Sequence, residues 1–579
     1  MTMLTKWGAA LDRSCPLPEY PRPQLRRESF YNLNGVWDYA VTPSGDEPGV
    51  WDGEIVVPFS PEAPLSGAAR GPAKDEYLHY RRGFTLPEGF QKSRVLLHFG
   101  AVDQIAEVFV NGVSAAKHSG GYWPFSADIT SLLREGENIL RVTVRDNADD
   151  PTFAYGKQRY KRGGMWYTAQ SGIWQTVWLE SVPEVYVKSL RITPEFDEAR
   201  VRIELETALE SSAAITCDVR AADGSFVAGS WAKGGVCVVP LPGFRAWTPD
   251  DPYLYTLDIT CGEDHVESYF AMRKFSYVEL GGHKVFGLNN APLFHNGLLD
   301  QGYYPDGLLT PPSDEAMVND IETMKRCGFN MLRKHIKIEP LRWYYHCDRL
   351  GMIVWQDMVS GGQPYSFLHV SALPTLGKVD LPDQDAKPYG RSGVLSRARF
   401  RREMADTVRL LYNCPCIALW TVFNEGWGQF DALDMANELK KLDPTRFIDH
   451  ASGWQDQGYE EMKSRHIYFR PVKLKNDGRA LALTEYGGYI LAVDGHRWTD
   501  KVFGYRICRD SAALAHDYEK LMLGQVLPHI RKEGLTAAVY TQITDVEEEL
   551  NGLMTYDREV LKIPEETLRE INAALRFDA

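Results

Sequence analysis

"ALWTVFNEGWGQ", residues Ala418–Gln429, decides how the chain is read. An apolar run, "ALWTVF", stops at an amide, a carboxylate and a glycine: Asn424, Glu425 and Gly426. A strand buried on both faces reads as a short continuous apolar run bounded by turn residues. A glutamate closing such a run is out of pattern, and breaks of that kind concentrate where chemistry overrides local consistency.

Outward from this stretch, the region past residue 280 alternates apolar strand-like runs with helical patterns. In chain order the strands are "APLFHNGLLD", "FNMLRKHI", "MIVWQDM", "CIALWTVFNE", "RFIDHAS", "RHIYF", "LALTEYGG" and "AAVYTQITD". Between them lie "DEAMVNDIETMKRCG", with Ser313 as its N-cap, "PLRWYYHCDRLG", ending at Gly351, and "SRARFRREMADTVRLLYN". Alternation of this kind implies a parallel sheet, and eight units imply a (β/α)8 barrel. The alternative, a doubly wound open sheet, lacks the glycine-rich fingerprint that would follow its first strand.

Upstream, from about residue 30 to 185, short alternating strands are separated by Gly, Asp and Asn turns. "AEVFVNGVSAAKH" predicts a hairpin turning at Asn111-Gly112, the dipeptide that best tolerates a primed turn. "RVRIELETAL", "AITCDVRA" and "YLYTLDITC", between Val187 and Ser276, are spaced like strands of a second small sandwich.

Composition narrows the function classes. The net charge is −14, with no long basic block. That argues against nucleic acid or an anionic membrane as partner, since clustered Lys and Arg hold both. Fifteen Trp and 29 Tyr suit stacking on apolar sugar faces, though they also fill sandwich cores. Nine scattered cysteines, without a CxxC pair, read as reduced structural thiols. Neither a signal-like leader nor an 18-residue apolar run is present, so a cytoplasmic location is expected.

In a (β/α)8 barrel the chemistry sits at the C-terminal strand ends. Glu425 closes the fourth strand and Glu485, in "ALALTEYGGY", closes the seventh, so both are expected at one rim. Two facing carboxylates are what acetal hydrolysis needs: one protonates the leaving oxygen and the other attacks the anomeric carbon. A rim ion pair is the bland reading of either glutamate alone; the matched pair favours catalysis. Asn424, beside the acid, could bond the sugar 2-hydroxyl or merely cap a turn.

These motifs resemble glycoside hydrolase family 2, the family of β-galactosidases, β-glucuronidases and β-mannosidases. "NLNGVWDYA", "VFVNGVSAAKHSGGYWPFSADITSLLREGENILRVTV" and "SGIWQTVWLE" are similar to its N-terminal jelly roll. "FAMRKFS" resembles the join between its immunoglobulin-like domain and its barrel; "NEG" and "TEYGG" resemble its acid/base and nucleophile segments. The resemblance implies a multidomain β plus α/β chain: a jelly-roll β-sandwich over 1–185, an immunoglobulin-like β-sandwich over 186–276, and a catalytic (β/α)8 TIM barrel over 277–579. It also implies Glu425 as general acid/base, Glu485 as nucleophile, a retaining mechanism and a homo-oligomer.

By the same resemblance Arg333 supports the nucleophile, where a cation would keep a carboxylate ionised, and Tyr468 donates a hydrogen bond to it. His335 stands two residues after Arg333, one short of the usual histidine spacing. Asp357 and Trp427 are candidates for hydroxyl binding and sugar stacking, and Gln542 for substrate contact at the last strand's end. Asp300 and Gln301 could bind outer hydroxyls. The Asn-x-Lys pair with which β-glucuronidases read a uronate is broken here: Asn551 is present, but Leu553 replaces the lysine. No metal or cofactor is expected. The Gly/Pro-rich stretch 359–392 is long enough to roof the pocket. The resulting expectation is an exo-acting, β-galactosidase-like enzyme on small glycosides or oligosaccharides. Its rivals are β-mannosidase, β-glucuronidase, α-L-arabinosidase and a non-catalytic carbohydrate-binding protein.

Overall fold

A computed structural model describes residues 3–209, 214–376 and 380–577; the segment 377–379 of the 359–392 stretch therefore lies outside the described residues. Three separate apolar cores organise the chain. The first belongs to a sandwich of a six-stranded and a four-stranded sheet, whose strands run from Tyr31–Asn32 to Val177–Val182. Its expected hairpin is present: Ile105–Val110 pairs antiparallel with Val113–Ser119, and Asn111 and Gly112 take φ of 51° and 82°. Two successive left-handed residues give the turn the twist of its flanking strands.

The second sandwich packs a three-stranded on a four-stranded antiparallel sheet between Val187 and Phe270. Period-two alternation builds its core: Val201, Ile203 and Leu205 of one sheet face inward, as do Cys217, Val219, Leu257 and Ile259 of the other.

The barrel strands are β1 (His295–Asp300), β2 (Met331–Lys334), β3 (Ile353–Asp357), β4 (Ile417–Thr421), β5 (Phe447–Asp449), β6 (Met462–Ile467), β7 (Ala480–Gly487) and β8 (Leu535–Thr541). They pair parallel in the order β5-β4-β3-β2-β1-β8-β7-β6, a nearly closed barrel. At the β5/β6 seam side chains take over from the ladder: Ser464 Oγ bonds Asp449 Oδ1 at 3.0 Å and Ala451 O at 3.0 Å. Every residue of β1–β4, β7 and β8 is buried, which is why the apolar residues of these strands do not alternate with exposed polar ones, and the polar residues they carry lie inside. Ser313 caps its helix by accepting from Ala316 N, and Gly351 ends the next one at φ 73°. Among the described residues, no helix separates β5 from β6 or β6 from β7. None of the helices is long and apolar enough to cross a membrane.

Candidate active site

The rim geometry corrects one expectation. Strand β4 ends at Thr421, so Glu425 stands four residues beyond it. The chain continues alongside the segment after β5: Val422 N bonds Asp449 O, Ser452 N bonds Phe423 O, and Glu425 N bonds Ser452 O at 2.8, 2.8 and 2.9 Å. Glu425 then adopts φ 53°, and Gly426 follows at 73°. A non-glycine residue held left-handed costs on the order of 1–3 kcal/mol and persists only where its surroundings over-determine it. Here the backbone bond to Ser452 and the Trp454 indole donating to Glu425 O do so.

Glu485 reaches the same space from inside β7. The ladder slips on both sides of Thr484–Glu485, against β6 and against β8. Such a bulge re-aims a side chain, here into the barrel mouth. Arg333 Nη1 donates to Glu485 Oε1 at 3.1 Å, and the Tyr468 hydroxyl to Oε2 at 2.6 Å. Tyr468, one residue past β6, is braced by Thr541 Oγ1 at 2.9 Å and stacks on Tyr505 at 3.9 Å. One oxygen of each carboxylate lies within 4.8 Å of the other.

Arg333 is fully buried and spends all its donors: Asp357 takes a bidentate pair at 3.0 Å each, Asn424 Oδ1 a bond at 2.8 Å, and Thr484 O one at 3.0 Å. Burial alone would raise the Asp357 carboxyl, but Arg333 and His335 outweigh it and bring it down to about 2. His335 Nδ1 sits 2.7 Å from Asp357 Oδ2, so its imidazole turns toward that aspartate, and burial lowers its pKa. Asp357 was expected to bind sugar hydroxyls; instead both its oxygens are committed to Arg333 and His335 beneath the pocket. Burial raises the Glu425 carboxyl, only partly opposed by Lys157, His335 and Arg333. Burial thus disfavours the charged form of Glu425, whereas Glu485 is paired with Arg333, and two carboxyl groups in such unlike surroundings can take different roles.

Trp427 lines the pocket over Glu425 with its ring edge-to-face on Trp166 at 5.0 Å and tilted against Tyr155 at 5.8 Å. Gln542 serves its neighbours: its carbonyl accepts from Gln301 and its amide donates to Asn551 Oδ1, at 2.9 and 2.8 Å. Asp300, a candidate for outer hydroxyls, is held instead by Lys334 Nζ at 2.6 Å. Leu553 is buried, so no cation occupies the second position of the broken Asn-x-Lys pair.

Three contributors, Lys157, Trp166 and His466, escaped the sequence reading. Residues 153–168 of the first sandwich form a strap across the barrel mouth. Its Tyr155 and Gly156 N–H groups bond Ser360 O at 3.1 and 2.9 Å; its Gly164 and Thr168 N–H groups bond Glu548 and Glu547, both at 2.8 Å. The Tyr167 hydroxyl donates to the third glutamate, Glu549. The strap thereby brings Lys157 and Trp166 to the pocket beside Glu425. Tyr365, Val370 and Ser371 of the 359–392 stretch close another side. His466 of β6 lies between the two carboxylates, its Nδ1 2.8 Å from Glu425 Oε1. Only "EEE" at 547–549 facing the basic "KQRYKR" of 157–162 carried a readable hint, a charge complementarity between distant segments.

Glu425, Glu485 and His466 have the side-chain types of a metal site. Their hydrogen-bonding capacity is already directed elsewhere: Glu485 to Arg333 and Tyr468, Glu425 to His466. A divalent ion there would press against the Arg333 guanidinium, which does not suit a metal centre.

Three family descriptions match consecutive parts of the chain: the glycosyl hydrolases family 2 sugar binding domain over residues 64–183, glycosyl hydrolases family 2 over 185–273, and the glycosyl hydrolases family 2 TIM barrel domain over 311–473. The chain belongs to glycoside hydrolase family 2. It is similar to a β-galactosidase of Thermoanaerobacter pseudethanolicus, 25% identical over 63% of this chain and 47% of that one. A β-glucuronidase of Paenibacillus borealis is 22% identical over 82% and 85% of the two chains. Against the first, the chain spans about half the relative's length. The fold is shared with an uncultured Clostridium sp. β-glucuronidase, TM-score 0.74 at 19% identity, covering 95% of this chain and 98% of that one. It is shared also with a β-galacturonidase of Eisenbergiella tayi, TM-score 0.69 at 18% identity, covering 97% and 100%.

Proposed function

We propose that the chain is a retaining exo-β-glycosidase, β-galactosidase-like in specificity, acting on terminal sugars of small glycosides. The observation that carries this reading is the pair Glu425 and Glu485, with oxygens within 4.8 Å at one barrel mouth. Carboxyl groups about 5–5.5 Å apart leave no room for an intervening water and operate through a covalent intermediate. Glu485 attacks the anomeric carbon as the glycosidic C–O bond breaks, and the Glu425 proton passes to the departing oxygen. Glu425 then takes a proton from water, whose oxygen displaces Glu485 from the anomeric carbon. Asn424, fixed by Arg333, is placed to bond the sugar beside the acid. A mouth narrowed by the strap and the 359–392 stretch suits a single terminal sugar.

A neutral glycone is supported by Leu553, which leaves a uronate without its second reader, and by Glu549, which burial raises but which would still meet a second carboxylate unfavourably. A uronate reading is kept open by Lys157, a cation beside the acid that no described carboxylate bonds. Initial rates on p-nitrophenyl β-galactoside, glucoside, mannoside, xyloside, glucuronide and α-arabinoside decide between them. Release from a neutral sugar, lost by at least ~10⁴-fold in Glu485→Ala, is expected. Preference for the glucuronide would overturn the neutral-glycone reading. Silence on every sugar from folded protein would leave a carbohydrate-binding protein.

A further inference from the structure

Strand β6 places an imidazole between the two carboxylates, although double displacement needs none. The His466 side chain is fully buried, with Nδ1 2.8 Å from Glu425 Oε1 and 3.5 Å from Glu485 Oε2. Its other nitrogen, Nε2, faces Ser452 Oγ at 3.2 Å and Arg333 Nη1 at 3.5 Å. The ring's berth is built for it. Gly453 adopts φ +94°, and a Cβ there would stand 2.5 Å from the imidazole; Trp454 closes a further side at 5.5 Å.

The tautomer follows from the neighbours. Carboxylate oxygens accept, and Nδ1 lies 2.8 Å from Glu425 Oε1 and 3.5 Å from an oxygen of the Arg333-paired Glu485, so an N–H is called for on that side of the ring. The proton then resides on Nδ1, the nitrogen facing two carboxylates. Burial pushes the His466 pKa down to about 3, so the ring is neutral and keeps this single proton.

We propose that His466 is a positioning residue for the acid/base: its Nδ1–H holds Glu425 Oε1, turns the other oxygen toward the glycosidic bond, and stabilises the carboxylate left once the proton has gone. This rests on the reading of Glu425 as acid/base. No proton passes through the ring. In the acid form Oε1 is the carbonyl oxygen and the transferable proton sits on Oε2. After transfer Oε1 carries part of the charge, and the hydrogen bond strengthens because its acceptor is now ionised.

Other charges act on the same group. Arg333 from β2, His335 after it and Lys157 from the strap favour the Glu425 carboxylate. Glu485 opposes a second negative charge nearby, and the Tyr365 and Tyr505 hydroxyls feel the charge of Glu425. The ring itself meets Glu485, Arg333, His335 and Asp357. None of these supplies an N–H to Glu425 Oε1, so removing the imidazole leaves that oxygen without its donor.

The test compares wild type, His466→Leu and His466→Asn through the pH dependence of kcat/KM, on an aryl glycoside with a poor leaving group and on the dinitrophenyl glycoside of the same sugar. Leucine removes the donor, whereas the asparagine amide can present an N–H where Nδ1 stood. In His466→Leu the alkaline limb should rise by about one pH unit, because an anion that has lost a hydrogen bond is harder to form. The loss should be ~10-fold or more with the poor leaving group and small with dinitrophenolate, which needs no proton. His466→Asn should retain the wild-type limb. An unmoved limb in His466→Leu, or equal losses on both substrates, would overturn the proposal. Should the leucine variant not fold, ring-nitrogen chemical shifts of isotope-labelled wild-type histidine, assigned by difference from His466→Asn, decide: a proton on Nε2 also overturns it. Wild type inactive on every glycoside would instead overturn the glycosidase reading itself.

Discussion

The two β-sandwiches share a construction and meet opposite ends of the barrel. The first sends residues 153–168 over the C-terminal rim, where Lys157 and Trp166 enter the pocket. The second docks beneath. Its Ile192 N bonds Asn413 Oδ1 at 2.7 Å, and Arg273, just past its last strand, bonds Pro415 O at 2.9 Å. Its Tyr269 hydroxyl bonds Asp348 Oδ2 at 2.7 Å, the same aspartate that accepts from Cys416 N at the start of β4. Strand polarity explains the division. The C-terminal end of a parallel barrel faces the chemistry and its N-terminal end bears on stability. One architecture therefore supplies a functional loop in one copy and a pedestal in the other.

Substitutions at the two ends should separate along that line. The largest effect is expected of Lys157→Met: a loss of roughly 10- to 100-fold in kcat/KM, the worth of one hydrogen bond to a charged group, with the thermal midpoint unchanged. Equal loss of midpoint and activity would make the strap a structural element like the second sandwich. Next comes Asp348→Ala at the base. It leaves two buried donors unsatisfied and should lower stability by about 1–3 kcal/mol, read as a lower midpoint at full kcat/KM. The same aspartate carries a pH signature. Burial pushes its carboxyl up to about 6, well above the ordinary aspartate value of about 4. Between those values the folded chain binds the proton and the unfolded chain does not, so stability is full below about pH 4 and is lost as the pH rises through about 6. Asp348→Asn should flatten the midpoint over that window; an unchanged slope would assign the proton elsewhere. The smallest effect belongs to Glu548→Ala, which releases Gly164 N at the strap's edge. A change of about two- to fivefold in KM, with kcat kept, is expected.

The barrel strands were readable because all but β6 are buried on both faces, and periodicity reports burial directly. Glu485 was readable for the same reason, as a charge at the close of a buried run. The fourth strand was overextended: "VFNE" is apolar up to Asn424, yet it is paired only loosely, to the segment after β5, before Glu425 turns left-handed. Asp357 and Gln542 were correctly placed at strand ends, but their partners decide their work. An aspartate beside a buried arginine is bound before any sugar arrives.

By itself the sequence determined the architecture, the pair of carboxylates and their common rim, since local burial patterns and strand polarity suffice for all three. Only the tertiary structure decided what surrounds them. Lys157 and Glu549 are separated by most of the chain, yet the strap brings them within electrostatic reach of each other and Lys157 to the pocket beside Glu425. His466 in "RHIYF" looked like an ordinary strand residue two before Tyr468, and it reaches Glu425 only because β6 comes round beside the segments that follow β4 and β5. Contacts of that kind depend on which distant segments are brought together by closure and docking, and no periodicity along the chain encodes them.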